Sequence, residues 1–483
     1  MTPAAIITVI SAYFAVILFI SWFTGRKSDN AGFFSGNRKQ SWYVVAIAMI
    51  GSAMSGVTFV SVPGMVATSG FGYMQMALGF IAGQIVIAFV LIPLFYRMNL
   101  VSIYGYLENR FGLSSYRTGA WFFFISKMLG ASVRLYLVCI ALQMMVFGPL
   151  GLPFLVNVAV TVLILIAYTF RGGVKAVIWI DFLKTFCMIV SIALCTIFIS
   201  KSLGFTFGSM CEAVAGSDMS RIFYFDDPDH PQYFFKQFFG GMFTLIAMTG
   251  LDQDMMQRSL TCKNFRDSQK NIITSALLQT VVIFLFLLLY FFAGANGIDA
   301  TGDTLFPAVA TSGLLPAVVG IVFVVGLVSC SYAAGGSALT ALTTSFTVDI
   351  LGTAGKSEKE VKSMREKVHI GMAVCMGLTI AVFNFINNTS AIDAVYKLAS
   401  YTYGPILGMF AFGILTKRRT KDRCVPWISI AAPAVCLVLQ LNSERWFGGY
   451  QFSYELLIIN ALLTFIGLYL FSSKADDLRA AKR

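Results

Sequence analysis

Four cations, Lys127, Arg134, Lys184 and Lys397, and two carboxylates, Asp181 and Asp393, sit within otherwise apolar runs of this sequence. A charge in hydrocarbon is costly, so such residues are candidates for binding a solute or guiding an ion. Asp181 and Lys184 are three apart and Asp393 and Lys397 four apart, spacings at which a helix lets each pair neutralise itself. Arg134, in LGASVRLYLVC, has no carboxylate three or four residues away. It either reaches one across a helix interface, Asp181 being the candidate, or holds an anionic ligand through two parallel hydrogen bonds from its guanidinium. Lys127 is long enough to snorkel to the membrane surface. Hydrolytic chemistry finds little support, because the two histidines, His230 and His369, are expected in or near loops and no HExxH or GxSxG pattern occurs. The nine cysteines form no CxxC or Cys/His metal pattern and read as small apolar side chains. The chain is not expected to be an enzyme.

Membrane-spanning helices must position these charges. Of 483 residues, 57% are hydrophobic and only 12% charged, the mean hydropathy is +0.77, and apolar runs of about 20 residues recur throughout. The fold class is an all-α polytopic membrane protein. The net charge of +12 comes in short clusters between apolar runs rather than along one face, so no nucleic-acid partner is expected. Thirteen spans can be drawn: 4–25, 41–69, 71–98, 116–147, 153–170, 173–200, 234–257, 270–294, 314–350, 367–387, 391–416, 424–441 and 452–472. The first lacks the flanks of a cleaved signal peptide and is kept as a helix. One set of alternate loops, with the C-terminal tail, holds 27 of the 35 basic residues; the other holds only Lys201, Arg221, Lys236 and Arg445. That asymmetry puts the N-terminus outside a cell membrane and the C-terminus in the cytoplasm. The long outer loop, 201–235, carries Asp226, Asp227 and Asp229 beside a single histidine, which reads as a solvated turn. Residues 101–111 read as a short amphipathic segment on the cytoplasmic surface.

The second span carries Gly51, Ser52, Ala53, Met54, Ser55 and Gly56 at mid-depth, where a plain span would carry leucines. Such small residues either let two helices approach closely or let the helix unwind where its freed backbone groups face protein, an ion or a water-filled cavity. A counterpart lies at 237–258 (QFFGGMFTLIAMTGLDQDMMQR), where Gly240, Gly241 and Gly250 are expected to break a second helix. The five spans from 41 to 200 and the five from 234 to 416 start in opposite orientations, because an odd number of spans inverts the second set. Two inverted halves, each opening with a broken helix, create a midplane site that is exposed to either side in turn. The domain organisation expected is 1–40, a first helix and cytoplasmic loop; 41–200, the first half; 201–233, an outer loop; 234–416, the second half; and 417–483, two C-terminal helices and a cytoplasmic tail.

The segments SAMSG at 52–56, RGGVKAVIWID at 171–181, GLDQDMMQRSLTCKN at 250–264, TTSFTVDI at 343–350 and YTYGPILGMFAFGILTKR at 401–418 carry a likeness that runs over nearly the whole chain. In their order and placement it resembles the sodium:solute symporter family, which includes carriers of sugars, proline, sialate and iodide. The resemblance implies the inverted five-plus-five, LeuT-like core with one helix before it and two after. It also implies a Na+ ion between carbonyls of Gly51 and Met54 and, on the ninth span, a carbonyl at Cys330 plus two hydroxyls. The hydroxyl pair aligns with Ala333 and Ala334, and methyl groups cannot supply oxygen to a hard cation. Sodium binding is therefore expected to be weakened unless Ser331 or water substitutes. A second sodium, found in some members, implies Asp181 and Ser337, with Gly336 where another oxygen-bearing side chain stands.

For the solute, the resemblance implies contacts at Leu245, Met248 and Thr249 of the seventh span and Tyr396 of the eleventh, with Thr58 and Gln75 beside them. Met248 stands where sugar carriers stack an aromatic ring; it keeps the apolar cover and loses the flat face. With Arg134 in the same bundle this favours a small organic anion over a sugar, although Met248, Phe243 and Tyr396 fit ordinary packing equally well. The expected function is secondary active import of a small polar solute with a cation, by alternating access, with solute and membrane lipid as partners. The alternative is a transporter-like sensor that binds a solute and signals through its cytoplasmic loops.

Overall fold

A computed structural model describes residues 3–473 apart from 26–32, 34–37, 55–57, 59–61, 63–65, 67–68, 101, 171–172, 203, 296–315, 387–390, 449, 451 and 453, and at some helical positions the backbone alone. Its helices are α1 (Pro3–Gly25), α2 (Trp42–Ala53), α3 (Tyr73–Val86), α4 (Gly105–Arg110), α5 (Leu113–Leu142), α6 (Phe154–Thr169), α7 (Gly173–Ser202), α8 (Phe207–Ala215), α9 (Phe234–Leu245), α10 (Gln253–Ser259), α11 (Phe265–Ala295), α12 (Ala317–Ser345), α13 (Glu358–Ile386), α14 (Ala391–Leu415), α15 (Val425–Leu441) and α16 (Glu455–Leu470). Wide π-helical turns, Ile87–Leu91, Gln143–Phe147, Ile246–Gly250 and Phe346–Ile350, extend α3, α5, α9 and α12. A two-residue antiparallel pairing of Arg419–Thr420 with Ser472–Ser473 ties the end of α16 to the loop after α14.

Among the described residues, seven helices are long and apolar enough to cross a membrane, and the bent pair Phe234–Gly250 plus Gln253–Ser259 makes an eighth. Four further apolar helices, Ile7–Phe23, Trp42–Ala53, Phe154–Thr169 and Glu455–Leu470, are shorter. The outer surface suits hydrocarbon, with Phe385, Leu415, Trp427 and Leu441 each 75–82% exposed, where water would drive them to aggregate. Inside, the hydroxyls of Thr169, Thr185, Thr340, Thr343 and Thr344 each donate to the carbonyl four residues back at 2.6–2.9 Å, which gives these five hydroxyls partners within an apolar interior. α7 is central, packing against α1, α2, α11 and α12, while α9 lies on α3 and α14 lies against α5 and α16.

Both helices expected to break do so. α2 ends at Ala53 and Met54 is extended (φ −96°, ψ 93°); Ser55 and Gly56 lie outside the described residues. In the second, Leu251 (φ −115°, ψ 14°) and Asp252 (φ −99°, ψ 120°) leave the helix and α10 departs at 70°. The glycine pair is not where this break falls. Gly240 and Gly241 lie within α9, and a Cβ on Gly241 would come within 2.5 Å of the Met76 carbonyl oxygen, so it permits close approach of α9 to α3. Freed groups at the break find partners, as an apolar interior demands. The Asp252 carboxylate accepts from the N–H of Met255 (3.2 Å), the Leu251 carbonyl accepts from the Tyr104 hydroxyl (3.0 Å), and the Gln253 side chain accepts from the N–H of Ile103 (2.9 Å).

Two local expectations change, and a third holds. The described part of segment 101–111, residues 102–111, is docked into the protein rather than laid on the membrane: Ile103, Tyr104 and Leu107 are buried, and Arg110 donates to the carbonyls of Gly413, Thr416 and Arg418. His369 is buried within α13, between the hydroxyls of Thr169 (2.8 Å) and Thr343 (2.9 Å). The outer loop contains α8, opened by a reciprocal cap between Thr206 and Ser209. Its acidic run is solvent-exposed, with Asp226 paired to the exposed Arg221.

Candidate functional site

The two breaks face one cavity of about 100 Å³. α2 supplies Ser52, Ala53 and, at its break, Met54; the turn after α9 supplies Met248 and Thr249, next to Leu245, and the second break supplies Asp252. Leu245, Met248 and Thr249 reach the cavity from the end of α9 and its wide turn, and Asp252 from the break that follows. α5 answers with Lys127, Gly130, Ala131 and Arg134, spaced to share one helix face, so two cations stand two turns apart on one wall. Gln279 of α11 and Tyr403 of α14 complete the lining.

Lys127 does not snorkel. Its buried ammonium meets Asp252 at 3.1 Å and Asp254 at 2.7 Å. Asp254 in turn accepts from Arg258 (2.6 Å), whose other terminal nitrogen reaches Asp181 (3.0 Å). Asp181 also faces Lys184 at 3.8 Å, the pairing its spacing predicted, and accepts from the Ser52 hydroxyl at 3.0 Å. The Tyr403 hydroxyl donates to Asp252. Three cations and three carboxylates thus balance across α5, α7 and α10, as buried charges must if they are to stay ionised. Lys397 is exposed, and the side chain of its expected partner Asp393 lies outside the described residues.

Arg134 stands apart from this network. Asp181, its candidate partner, is taken by Arg258 and Lys184, and among the described residues no carboxylate pairs with Arg134. Around it the cavity offers the hydroxyls of Thr58, Ser126 and Thr249 and the apolar cover of Phe80, Leu245 and Met248. That combination suits a small anion, which a guanidinium grips through two parallel hydrogen bonds.

Of the expected solute contacts, Thr58, Arg134, Leu245, Met248 and Thr249 converge on the cavity. Gln75 does other work: its amide donates to the Gln232 carbonyl (2.8 Å) and accepts from the N–H of Tyr224 (3.1 Å), fastening the outer loop to α3. The side chain of Tyr396 lies outside the described residues. Asp252 and Tyr403 are lining residues that the sequence did not single out, and Lys127, singled out only as a charge within a span, lines the cavity with them. The signal for two of them was present, since the run DQDMMQR ends an apolar stretch with two carboxylates and Lys127 has none on its own helix.

The residues expected around sodium do not fit that ion. A hard cation needs several close oxygens, and Ala333 and Ala334 have none on their side chains. On α2, the Thr185 hydroxyl oxygen occupies the place of a Cβ at Gly51 and already donates to the Asp181 carbonyl. Ser337 donates to the Ala334 carbonyl (3.2 Å). The Tyr168 hydroxyl fills the space of a side chain at Gly336 and donates to the Tyr332 carbonyl. The side chains of Cys330 and Ala333 lie outside the described residues; Met54 lines the cavity.

Comparisons with known proteins bear on the family and the fold. The model of the sodium:solute symporter family matches residues 33–423. A sodium/sialic acid symporter of Aliivibrio fischeri is 25% identical over 466 residues, covering 90% of this chain and 88% of the relative. The sodium/iodide cotransporter of Homo sapiens is 24% identical over 425 residues, covering 82% of this chain and 63% of the relative. The substrate-bound, outward-open structure of a Na+-coupled sialic acid symporter matches with a TM-score of 0.82 at 19% identity, covering 96% of this chain and 97% of that one. That likeness speaks for the fold, an all-helical architecture of the LeuT-like kind.

Proposed function

Since the chain belongs to the sodium:solute symporter family, a family of multi-pass membrane transporters rather than enzymes, we propose that it imports a small organic anion, with Arg134 holding the anionic group. The observation that carries this is a guanidinium lining the cavity between two helix breaks, with no carboxylate partner among the described residues. The names of both relatives fit, since sialic acid and iodide are anions. A cavity of about 100 Å³ is well below the roughly 300–1,000 Å³ of a drug-sized site, which favours a solute of few heavy atoms. Met248 and Leu245 would cover its carbon skeleton, and Thr58 and Thr249 would offer hydroxyls to its polar edge.

We assign thirteen spans, arranged as a first helix and loop (1–40), two inverted halves (41–200 and 234–416) separated by an outer loop (201–233), and two closing helices with a tail (417–483). The N-terminus is outside and the C-terminus cytoplasmic, in keeping with the basic residues of the alternate loops. Rocking about Met54 on one side and Leu251–Asp252 on the other exposes the cavity to each face in turn. Solute charge matters for that motion. An empty cavity that closes must desolvate Arg134 unpaired, whereas an anion in place neutralises it, so binding lowers the cost of occlusion. Cation-coupled transport accords with the names of both relatives.

Uptake of labelled small carboxylates into proteoliposomes tests this. Saturable accumulation that is lost in Arg134→Ala is the expected result. A sensor, the alternative expected from the sequence, would bind the carboxylate without accumulating it.

A further inference from the structure

We propose that the ammonium of Lys184 is the resident cation at the junction of α2, α7 and α12, and that this junction takes no sodium. The inference rests on the family reading for where a sodium would be expected, beside Gly51 and Met54 on α2 and Ala333 and Ala334 on α12.

Lys184 is one turn from Asp181 on α7 and is 1% exposed, so its charge lies deep in the protein. Its Nζ stands 3.8 Å from Asp181 Oδ1 and 4.9 Å from the centre of the Tyr168 ring. That ring carries the hydroxyl that occupies the space at Gly336 on α12. Asp181 accepts from Ser52 on α2, one residue beyond Gly51. One short chain of contacts, Ser52 to Asp181 to Lys184 to Tyr168 to Gly336, therefore runs from α2 to α12 through a lysine.

The charge balance points the same way. Asp181 already faces two cations, Lys184 and Arg258, so a third brought to the same carboxylate would be repelled by both. Ala333 and Ala334 carry methyls where the family pattern has hydroxyls, and among the described residues the hydroxyls of Thr185, Ser337 and Tyr168 are committed to carbonyls; the side chain of Ser331 lies outside the described residues. A lysine also suits the task chemically, being a compact point charge on a flexible stem with three donors. The two departures belong together: a built-in cation makes the oxygen cage dispensable, and loss of the cage removes the competitor.

The full chain in lipid nanodiscs, with sodium chloride replacing choline chloride at constant ionic strength, tests the proposal by thermal unfolding. Wild type is expected to show no saturable, sodium-specific rise in unfolding temperature. Lys184→Met combined with Ala333→Ser and Ala334→Ser, which removes the resident charge and restores the hydroxyls, is expected to gain a saturable rise of about 3 °C or more. Lys184→Arg, which keeps a charge, should stay indifferent to sodium. A saturable sodium response in wild type overturns the proposal whatever the variants do, and so does a folded triple variant that ignores sodium. Because no solute is present, either failure leaves the role of Arg134 standing. Absence of carboxylate uptake, conversely, leaves this inference untouched.

Discussion

Six ionised side chains at the meeting of α5, α7 and α10 answer one another, from Lys127 through Asp252, Asp254, Arg258 and Asp181 to Lys184. Arg134, about 10 Å further along the helix that carries Lys127, answers none of them. Both regions hold charge in an apolar bundle, yet they do so to different ends. In the network each charge meets an opposite one, so the group as a whole is neutral and needs nothing from outside; it fastens the half-helix α10 to its neighbours. On the proposed function, the partner that neutralises Arg134 arrives with the solute. The network is buried and paired, whereas Arg134 is half-buried at the cavity and has no carboxylate partner among the described residues; a charge in the bundle points to a binding site when the rest of the protein leaves it uncompensated.

Breaking the network should have the largest effect. Arg258→Met leaves Asp181 and Asp254 with one cation each and should cost about 3–5 kcal/mol of stability, read as a large fall in unfolding temperature; a loss under about 1 kcal/mol would mean the network does not hold α10. Next in size is Arg134→Ala, for which we expect carboxylate uptake to fall about 10- to 100-fold, while unfolding moves by less than about 1 kcal/mol. Arg134→Lys should recover only part of that uptake, because an ammonium keeps the charge but not the planar fork. Asp252→Asn is intermediate: it leaves Lys127 paired to Asp254 but weakens the cap of α10, a loss of about 1–2 kcal/mol by thermal unfolding. The smallest change is expected at the exposed pair Arg221–Asp226, where Asp226→Asn should alter stability by less than about 0.5 kcal/mol and uptake not at all.

Much of the scaffold was legible in the sequence because its signals are local. Apolar runs gave helices to within a few residues, as at Phe154–Thr169 against an expected 153–170. Both breaks were foreseen, and the Asp181–Lys184 pair followed from spacing alone. What was not legible depends on neighbours distant along the chain. Nothing near Lys127 indicates that its partners lie 125 and 127 residues away at Asp252 and Asp254, nor that Arg258 is the second cation on Asp181. Glycines gave an ambiguous signal, because the same missing side chain serves unwinding and close packing, and Gly241 turned out to serve packing. The amphipathic pattern of 101–111 likewise records that one face is covered without saying whether lipid or protein covers it.

Competition between a labelled small carboxylate and its uncharged amide, measured as uptake by wild type and Arg134→Ala in proteoliposomes, tests the central claim most directly. If Arg134 holds the solute's charge, wild type accumulates the carboxylate and the amide does not compete, and the variant loses the distinction along with the uptake. Equal transport of both compounds by wild type, or carboxylate uptake of unchanged affinity in Arg134→Ala, would contradict it.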